Sequence, residues 1–442
     1  MSPPVRRVQS DEKLPAQADV VIIGGGIAGV AAAWELGRRG TRVALIEKGV
    51  VGGEQSSRNW GWCRQLNRDE REIPLSILAL RMWSELTEAT GADLGFRRTG
   101  LVYGTTSEGD IARWRAWSEM AKPYGIPSRL LSARETALML PGSTGKLLGG
   151  VHSPTDGRAE PEFAAPEIAR AARRHGVTVH QNCAAREIDM SAGRVSGVVT
   201  EHGLIRCSAV LVAGGAWTGM LLRHHGLKFT QASILATACY TEPAESVTDG
   251  GISLPGVAVR RRVDGGYTLG LGGTGTLSFS PWGILQAGPF WNSFLKRRKG
   301  LRYTIGRNFF DGPESLSRWT ATSVSPFERN RTLDPPADQR LVDRGLGKLA
   351  AAYPALAGTK IAAQWGAMMD FTPDGIPVIA PVTSRPGLFI SSGYSGHGFG
   401  IAPAAGRLAA DLITGATPSV DPKPFRYERM TDGTKLDGPG MF

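Results

Sequence analysis

A glycine-rich stretch near the start of the chain constrains its fold more than any other feature. The apolar run Val20–Ile23 leads directly into a Gly-x-Gly-x-x-Gly motif at residues 24–29, helical spacing begins at Ile27, and a second apolar run ends at Glu47. This order predicts a strand, a tight turn, a helix and a second strand. The glycines would permit the turn, the approach of backbone amides to a pyrophosphate and close packing of helix on strand. The stretch therefore predicts a dinucleotide-binding βαβ unit in which Glu47 accepts hydrogen bonds from a ribose.

Length and composition narrow the class of protein. A chain of 442 residues exceeds one compact core and predicts two domains. The net charge of +11 is mostly scattered, with local clusters at residues 260–262 and 296–299, which predicts a basic solvated surface and no nucleic-acid partner. The sequence contains neither a signal peptide nor an apolar run that could span a bilayer, and its four cysteines have no paired or metal-like spacing. We therefore expect a cytoplasmic protein with no disulfide and no metal site.

Four separated blocks carry a resemblance to a known family. They are the glycine motif, the apolar run with its glycine turn at 209–217, the block at 364–379 that contains ThrProAspGlyIlePro, and GlyTyrSerGlyHisGlyPheGly at 393–400. In this order the chain resembles the FAD-dependent amine and amino-acid oxidoreductases of the D-amino-acid oxidase (DAO) superfamily. Glycine/sarcosine oxidases and D-amino-acid dehydrogenases are the members it is most similar to. The resemblance implies an α/β fold: a Rossmann-like FAD-binding domain of the glutathione-reductase type, interleaved with a substrate domain built on an antiparallel sheet.

The resemblance also implies a domain division and a reaction. We expect a disordered leader (1–16), a discontinuous FAD-binding domain (17–75, 150–225 and 361–430), a substrate-binding domain (76–149 and 226–360) and a tail (431–442). The implied reaction is oxidation of the C–N bond of an amino acid or secondary amine by hydride transfer to flavin. The resulting imine would hydrolyse to a keto acid or aldehyde, and oxygen or a quinone of the respiratory chain would accept the electrons. Two alternatives stay open: an FAD-linked dehydrogenase of an alcohol such as a glycerol phosphate, and a basic RNA- or membrane-associated flavoprotein.

The family's cofactor contacts transfer to this sequence by position. The pyrophosphate would lie at the glycine motif, the ribose at Glu47, and the isoalloxazine between the loop at 56–61 and the glycine-rich turn at 393–400. Ala185 stands where the family pattern has a valine that contacts adenine. The implied cofactor-binding residues are Gly24, Gly26, Ile27, Ala28, Gly29, Glu47, Lys48, Ser56, Ser57, Arg58, Asn59, Trp60, Gly61, Ala185, Ala213, Gly214, Trp217, Gly366, Gly393, Tyr394, Ser395, Gly396, His397, Gly398, Phe399 and Gly400.

Three departures from the family pattern bear on the cofactor and the substrate. Ala367 occupies the position of the cysteine that links flavin covalently in sarcosine-oxidase-like relatives, so we expect non-covalent FAD. Gly400 replaces a lysine, and Met368 and Met369 stand where D-amino-acid dehydrogenases have an arginine. Two usual anchors for a substrate carboxylate are therefore missing. Arg64 matches a carboxylate-binding arginine of sarcosine-type relatives, and a planar guanidinium suits that bidentate role.

Other candidate substrate or catalytic residues each have a plain structural alternative. Arg260 and Arg262 would share one face of a strand, where they meet either a carboxylate or solvent. Tyr267 could orient a substrate or belong to the core of a sheet, and Trp62 could line the substrate pocket or simply pack. Tyr394 and His397 lie in the turn beside the expected flavin, where His397 could act as a base or only contact the cofactor.

The segment at residues 279–300 combines aromatic residues with a basic end. It could lie on an anionic membrane and let the protein pass electrons to a quinone, which would make the protein peripheral at the inner face of the membrane. The alternative is a lid or packing arm of the substrate domain.

Overall fold

The computed structural model describes residues 3–306, 308–436 and 438. Its strands, in chain order, are β1 (Val20–Ile23), β2 (Val43–Ile46), β3 (Trp62–Cys63), β4 (Leu101–Thr105), β5 (Arg129–Ser132), β6 (Gly149–Ser153), β7 (Gly157–Arg158), β8 (Thr178–His180), β9 (Ala185–Ser191), β10 (Arg194–Thr200), β11 (Gly203–Arg206), β12 (Ala209–Val212), β13 (Ala232–Thr241), β14 (Gly251–Leu254), β15 (Val257–Arg261), β16 (Tyr267–Gly270), β17 (Gly275–Ser278), β18 (Leu301–Thr304), β19 (Ile361–Phe371), β20 (Val378–Pro381) and β21 (Leu388–Ser392).

The α-helices are α1 (Ile27–Arg38), α2 (Gln55–Arg58), α3 (Ile73–Thr90), α4 (Glu108–Ala121), α5 (Ala133–Met139), α6 (Pro161–Arg174), α7 (Thr218–His224), α8 (Pro281–Leu285), α9 (Ala287–Arg297), α10 (Asn308–Asp311), α11 (Pro326–Arg329), α12 (Gln339–Ala352) and α13 (Gly398–Thr414). Short 3₁₀ segments lie at Glu70–Glu72, Lys122–Tyr124, Gly215–Trp217, Arg298–Gly300, Pro354–Leu356, Lys423–Phe425 and Glu428–Met430.

The first sheet is the parallel layer that the glycine motif predicts. Its strand order is β20-β21-β12-β1-β2-β8, and every pair is parallel except β20 with β21. Each of β1, β2 and β12 is buried along its whole length, because helices and other segments cover both faces. Such strands require the continuous Val, Ile and Leu runs that the sequence has. Helices α1, α3, α6 and α13 contribute to the core on one face of this sheet.

The second sheet runs in the order β18-β17-β13-β16-β15-β14-β4-β6-β5, with β19 paired to β13. Its neighbouring strands are antiparallel except for the parallel pairs β14–β4 and β17–β18. The predicted fold class, a parallel FAD-binding sheet with a mainly antiparallel second sheet, is confirmed. Strands β9, β10 and β11 form a separate antiparallel sheet, in which β10 and β11 make a tight hairpin that turns before Gly203.

Two of the expected domain boundaries need correction. Strand β19, expected within the FAD-binding segment 361–430, pairs along its length with β13, from Ala232 opposite Phe371 to Thr241 opposite Ile361. Residues 361–371 therefore belong to the second sheet. Helix α3, expected mostly in the substrate domain, packs its apolar face into the same core as α1 and α13. An amphipathic pattern predicts that a helix is half-buried but does not identify the layer that covers it.

The leader expected to be disordered is held against the first layer. Val8 is buried, the backbone N–H of Asp11 donates to the carbonyl oxygen of Val179 at 2.7 Å, and the Asp11 carboxylate lies 2.7 Å from Arg173. The described part of the leader thus packs on β8 and α6. Part of the tail, at residues 437 and 439–442, lies outside the described residues.

The segment at 279–300 forms α8 and α9 on the outside of the second sheet. Neither helix contains a buried residue. Ile284, Leu285, Trp291 and Leu295 are all exposed, and Trp291 exposes 55% of its surface. Across the described part of the chain, the structure contains no helix with the length and apolar character needed to traverse a bilayer.

Candidate functional site

A cleft opens at the carboxyl ends of β1, β2 and β12. It encloses a volume of about 120 Å³ and is partly open to solvent. Ligands of open parallel sheets bind at this edge, where the strands pass into their loops. The predicted cofactor residues that line the cleft are Gly24, Gly26, Glu47, Lys48, Ser56, Ala185, Ala213, Gly214 and Trp217.

Gly24 and Gly29 occupy positions where no side chain fits. Gly24 has φ +114°, and a Cβ there would lie 2.4 Å from the carbonyl oxygen of Ala213. A Cβ at Gly29 would lie 2.0 Å from the carbonyl oxygen of Gly24, so α1 packs directly on the turn. Gly26 lines the cleft, and a Cβ there would meet only the Ser56 hydroxyl, at 3.3 Å. This cradle at the N-terminus of α1 fits a pyrophosphate.

Glu47 closes the cleft at the end of β2. Its Oε2 accepts a hydrogen bond from the backbone N–H of Gly25 at 2.7 Å, and its Oε1 accepts one from Gly49 at 2.8 Å. Burial raises the pKa of this carboxyl group. Each carboxylate oxygen carries a second lone pair, so acceptor capacity remains for ribose hydroxyls.

Lys48 and Trp217 form the opposite wall of the cleft. The Lys48 ammonium lies 2.5 Å from Oε1 of Glu54 and 4.8 Å from the centre of the Trp217 ring. The charge of Lys48 is therefore already compensated by Glu54, and its ammonium packs against the Trp217 ring. Ile27 and Ala28, also predicted to contact the cofactor, lie behind the motif in the first turn of α1, where both are buried.

The loop at 54–61 is held by its own polar groups. The Ser56 hydroxyl accepts a hydrogen bond from the backbone N–H of Ile27 at 2.8 Å and so caps α1. Ser57 donates to the carbonyl oxygen of Glu54, and the Asn59 side chain accepts from the N–H of Gly61 at 2.8 Å. Arg58 is buried and donates to backbone carbonyls, among them that of Gly53 at 3.0 Å. Among these residues Ser56 lines the cleft, while Ser57, Arg58 and Asn59 shape the loop.

The glycine-rich turn at 393–400 leads into α13. Helix α13 begins at Gly398, so Gly398, Phe399 and Gly400 belong to its first turn. Gly393, Ser395 and Gly396 all have positive φ, which bends the chain sharply before the helix. A Cβ at Gly400 would lie 2.9 Å from the carbonyl oxygen of Trp62, so β3 crosses directly over the start of α13.

Gly366 and Tyr394 are placed by packing. A Cβ at Gly366 would lie 2.7 Å from the carbonyl oxygens of both Pro335 and Pro336, which cross over it. Tyr394 is buried, and its hydroxyl lies 2.6 Å from that of Ser391. The Tyr394 ring is part of the core of the first layer, and its predicted contact with substrate stays a prediction.

His397 is the N-cap residue of α13 and lies beside an acidic side chain that no sequence pattern singles out. Its Nδ1 is 3.3 Å from Oε1 of Glu72, the N-cap residue of α3. The side chain of Glu72 is fully buried, and neither of its oxygens accepts a hydrogen bond from the described residues. Desolvation raises the pKa of Glu72 to about 8, and it lowers the pKa of His397 well below its ordinary value. Both groups are therefore neutral near pH 7.

Two arginines lie close to this pair. The side chain of Arg68 is almost completely buried, donates through Nε to the carbonyl oxygen of Arg64 at 3.4 Å, and leaves Nη1 without a hydrogen-bond partner. Arg64 donates to the carbonyl oxygen of Leu66. Among the described residues, neither guanidinium has a carboxylate within 4 Å. Arg64 and Arg68 thus form a positively charged cluster with no carboxylate in ion-pair contact within the described part of the chain.

The sequence identifies Arg64 as a site residue but not Arg68 or Glu72. The three recur at every fourth residue, a spacing that marks one face of a helix. The sequence reads as a loop there, and only Glu70–Glu72 has 3₁₀ geometry. This four-residue spacing is the signal that the sequence offers for Arg68 and Glu72. It indicates a shared site only in the folded protein, where β3 and α13 pack over this segment.

Arg260 and Arg262 share one face of the second sheet, as the alternation predicts, but both are engaged in ion pairs. Arg260 lies 2.7 Å from Glu160, and Arg262 lies 2.7 Å from Glu162. Both guanidiniums are buried. Their predicted role as carboxylate anchors is therefore corrected: their charges are already compensated by acidic side chains at the start of α6.

Tyr267 belongs to the core of the second sheet. Its side chain is fully buried, and its hydroxyl donates to the carbonyl oxygen of Glu245 and accepts from the N–H of Val247, both at 2.9 Å. A hydroxyl held in this way cannot orient a substrate, which corrects the predicted catalytic role. The Arg261 guanidinium lies against this side chain, 4.9 Å from the centre of the Tyr267 ring.

Trp60 and Trp62 form an aromatic wall beside β3. Their ring centres are 5.6 Å apart in an edge-to-face arrangement, and Trp62 lies 5.7 Å from Tyr103. Trp60 packs closely against Gly270, where a Cβ would lie 1.9 Å from the indole ring. Within the described residues, no group of three or more histidine, cysteine or acidic side chains could hold a metal ion.

Comparison with known proteins identifies relatives of this arrangement. A family model described as FAD dependent oxidoreductase (DAO) matches residues 19–412. Glycine oxidase from Geobacillus kaustophilus is 26% identical over 422 residues, which cover 93% of this chain and 97% of that protein. A 4-methylaminobutanoate oxidase (formaldehyde-forming) from Paenarthrobacter nicotinovorans is 23% identical over 96% of this chain, which spans only 47% of that longer protein.

A solved structure resembles the whole chain. The L-amino acid deaminase from Proteus myxofaciens, in complex with anthranilate, superposes with a TM-score of 0.92 and 30% sequence identity. The match covers 97% of this chain and 98% of the deaminase chain.

Proposed function

Because the chain belongs to the DAO family of FAD-dependent oxidoreductases, we propose that it oxidises the C–N bond of an amino acid or a related amine that carries a carboxylate. The observation that carries this proposal is the uncompensated pair Arg64 and Arg68, which lies next to the turn that starts α13. Two similar proteins are named as a glycine oxidase and an L-amino acid deaminase, which supports an amino acid as the class of substrate.

The residues of the cleft fit FAD. The cradle of Gly24, Gly26 and Gly29 would take the pyrophosphate, the free acceptor capacity of Glu47 would take the ribose, and Ala185 would border the adenine. FAD, when bound, supplies the two-electron acceptor for a hydride from the substrate carbon. The positive end of the α13 dipole would favour negative charge that develops near it.

FAD is held without a covalent bond in this proposal. Ala367, a buried residue of β19, has no sulfur with which to form a thioether. The four cysteines are all free and buried at other positions, and burial raises the pKa of the Cys63 thiol well above its ordinary range. Acid precipitation should therefore release the flavin into the supernatant, whereas a yellow pellet would contradict non-covalent binding.

Arg64 and Arg68 hold the substrate carboxylate in this mechanism. A carboxylate can accept two parallel hydrogen bonds from a guanidinium, and Nη1 of Arg68 is a buried donor that lacks an acceptor. Trp60 and Trp62 would limit the space for the substrate side chain and exclude water from the reacting carbon. The amine loses its proton to water, so no side chain is assigned as a general base.

The surface of α8 and α9 supports a proposal for the electron acceptor. These helices have no buried residue, which argues against a closed lid, and exposed aromatic and aliphatic side chains lie next to the basic residues Lys296, Arg298 and Lys299. We propose that this surface contacts an anionic membrane and that a quinone, rather than oxygen, takes the electrons.

Product formation tests the proposed reaction. The FAD-loaded protein is incubated with D-, L- and N-methyl amino acids and a soluble electron-accepting dye, and keto acid and ammonia or methylamine are measured. The proposal expects one class to give dye reduction and keto acid in equal amounts. Dye reduction by glycerol phosphate, with none by any amino acid, would overturn it in favour of an alcohol dehydrogenase.

A further inference from the structure

Glu72 and His397 join the N-termini of two helices beside Arg64 and Arg68. Glu72 is the N-cap residue of α3 and His397 is that of α13, and Oε1 of the first lies 3.3 Å from Nδ1 of the second. Both side chains are buried. The inference drawn from this pair rests on the proposed function, because it concerns how the arginines beside the pair stay available for a carboxylate.

The contacts of His397 determine which of its nitrogens carries a proton. Its Nε2 lies 3.1 Å from the carbonyl oxygen of Gly375, and a carbonyl can only accept, so Nε2 carries the hydrogen. In a neutral ring Nδ1 then presents a lone pair toward Glu72. An ionised carboxylate facing that lone pair would be repelled. One proton must therefore lie between Glu72 and His397, either on the carboxyl group or on the ring.

The groups that face the pair are predominantly cationic. The charges of three arginines, Arg64, Arg68 and Arg71, lower the pKa of Glu72, and that of Asp69 raises it. The charge of Glu72 in turn raises the pKa of the buried Tyr394 hydroxyl. Arg71 is already paired, with Asp69 at 2.9 Å and with Asp374 at 3.4 Å. Arg429 pairs with the same Asp374 at 3.2 Å. Within the residues that the structure describes, Arg64 and Arg68 are the cations of this group with no carboxylate within 4 Å.

We propose that Glu72 and His397 share one proton, and that this proton keeps Arg64 and Arg68 uncompensated so that they can hold the carboxylate of a substrate. When the proton leaves to solvent, Glu72 becomes a carboxylate that competes with the substrate for Arg68. Glu72 acts through Arg68, and His397 acts through Glu72, so both are positioning residues.

The electrostatics of burial agree with the neutral form of the pair. Desolvation raises the pKa of Glu72 to about 8 and lowers that of His397. The shared proton is accordingly on Glu72 near pH 7 and is lost above about pH 8. Substrate carboxylate bound at Arg68 would oppose that loss, because it places a second negative charge beside Glu72.

Binding of benzoate tests the proposal without turnover, since benzoate has a carboxylate and no amine. Titration calorimetry of the FAD-loaded protein is carried out from pH 6.5 to 8.5, in two buffers that differ in ionisation heat. Burial lowers the pKa of Arg68 to about 9, so this range keeps Arg68 largely protonated. For the wild type we expect the titration of Glu72 to raise Kd about fourfold by pH 8.5, with uptake of about three quarters of a proton on binding at pH 8.5 and almost none at pH 6.5.

Glu72→Gln is the central variant, because its amide can donate to Nδ1 as the carboxyl group does but cannot ionise. We expect its Kd to rise by no more than about a third over the same range, with uptake of about a quarter of a proton at pH 8.5 that comes from Arg68 alone. Glu70→Gln, at an exposed neighbouring position, should behave as the wild type. Equal pH dependence in wild type and Glu72→Gln would overturn the shared proton. If Glu72→Gln does not fold, absence of proton uptake in the wild type overturns it as well.

Failure of the proposed function would look different. In that case benzoate would not bind the wild type at any pH, and Arg64→Met would change nothing. Benzoate binding that is lost in Arg64→Met, with no pH dependence in the wild type, would leave the carboxylate site standing and remove only the role of Glu72 and His397.

Discussion

Arg260 and Glu160 form a buried ion pair that joins the two layers of the protein. Nη1 of Arg260, on β15, lies 2.7 Å from Oε1 of Glu160, the N-cap residue of α6. The same Arg260 side chain donates to the Thr268 hydroxyl at 2.9 Å and lies against Gly61, where a Cβ would be 2.8 Å from Nε. The second sheet is thereby fixed relative to the loop that follows the cleft.

Removing one member of this pair should destabilise the fold. Arg260→Met removes the nearest cation of the buried Glu160 and leaves Arg262 at 3.8 Å and Arg158 at 3.9 Å. Breaking a buried pair costs up to about 3–5 kcal/mol, so we expect a loss of a few kcal/mol. Thermal unfolding should show a large fall in Tm. Lys122→Met removes a solvent-exposed pair with Glu119 and should cost about 1 kcal/mol or less. Equal effects of the two variants would mean that burial does not determine the strength of the Arg260 pair.

Cofactor content should depend on Gly29. Gly29→Ala places a Cβ 2.0 Å from the carbonyl oxygen of Gly24, so the turn must move away from its present position. We expect the purified variant to contain far less FAD per protein than the wild type, as measured by flavin absorbance. Gly347→Ala is the control, because a Cβ added at this position in α12 would meet no neighbouring atom within 4 Å. This variant should leave the FAD content unchanged and stabilise the helix by up to about 1 kcal/mol. Full FAD content in Gly29→Ala would contradict the cofactor assignment of the motif.

The pH dependence of stability should report the protonation of Glu72 directly. The folded-state pKa of about 8 is raised above the ordinary value of 4.5, so between these pH values the folded protein holds a proton that the unfolded chain has released. Stability therefore falls as pH rises through this window, on the order of 1 kcal/mol per pH unit. Urea unfolding should show the wild type losing stability relative to Glu72→Gln from about pH 4.5 to about pH 8. A constant difference between the two proteins would show that Glu72 is ionised in the folded state.

Membrane attachment should depend on the exposed face of α9. Trp291→Glu replaces a half-exposed indole with a charge that anionic lipid repels, so co-sedimentation with anionic vesicles should fall several-fold. Neutral vesicles should bind both proteins weakly. Leu138→Ser, at an exposed apolar position on α5, should bind as the wild type does. If Leu138→Ser and Trp291→Glu are affected alike, attachment is not specific to α9.

Local patterns in the sequence are sufficient to predict the elements of the first layer. Gly24, Gly29 and Glu47 lie where the strand, turn and helix spacing predicts, because each contact involves residues close in the chain or a backbone approach that only glycine allows. The capping box of Ser132 and Glu135 at the start of α5 is likewise formed by residues three apart in the chain. Such features depend on few partners, and those partners are local.

Contacts between residues far apart in the chain account for the site features that the sequence does not predict. The alternation correctly predicts that Arg260 and Arg262 share a face, but their partners Glu160 and Glu162 lie about 100 residues away and give no local signal. Arg68 and Glu72 become neighbours of His397 only when α3 and α13 begin side by side. For Tyr267, a strand pattern identifies a face without stating which layer covers it, so a core tyrosine and a substrate contact look alike in the sequence.

The central claim, that an amino acid or related amine reduces the bound flavin, is tested most directly without oxygen. The FAD-loaded protein is mixed anaerobically with D-, L- and N-methyl amino acids, and the visible flavin absorbance is followed. We predict that at least one class bleaches the flavin, and that Arg64→Met raises the concentration needed for half-maximal bleaching at least about tenfold, through the loss of charge-assisted hydrogen bonds. Flavin that stays oxidised with every amino acid and amine, in a protein that dithionite still reduces, would contradict the account.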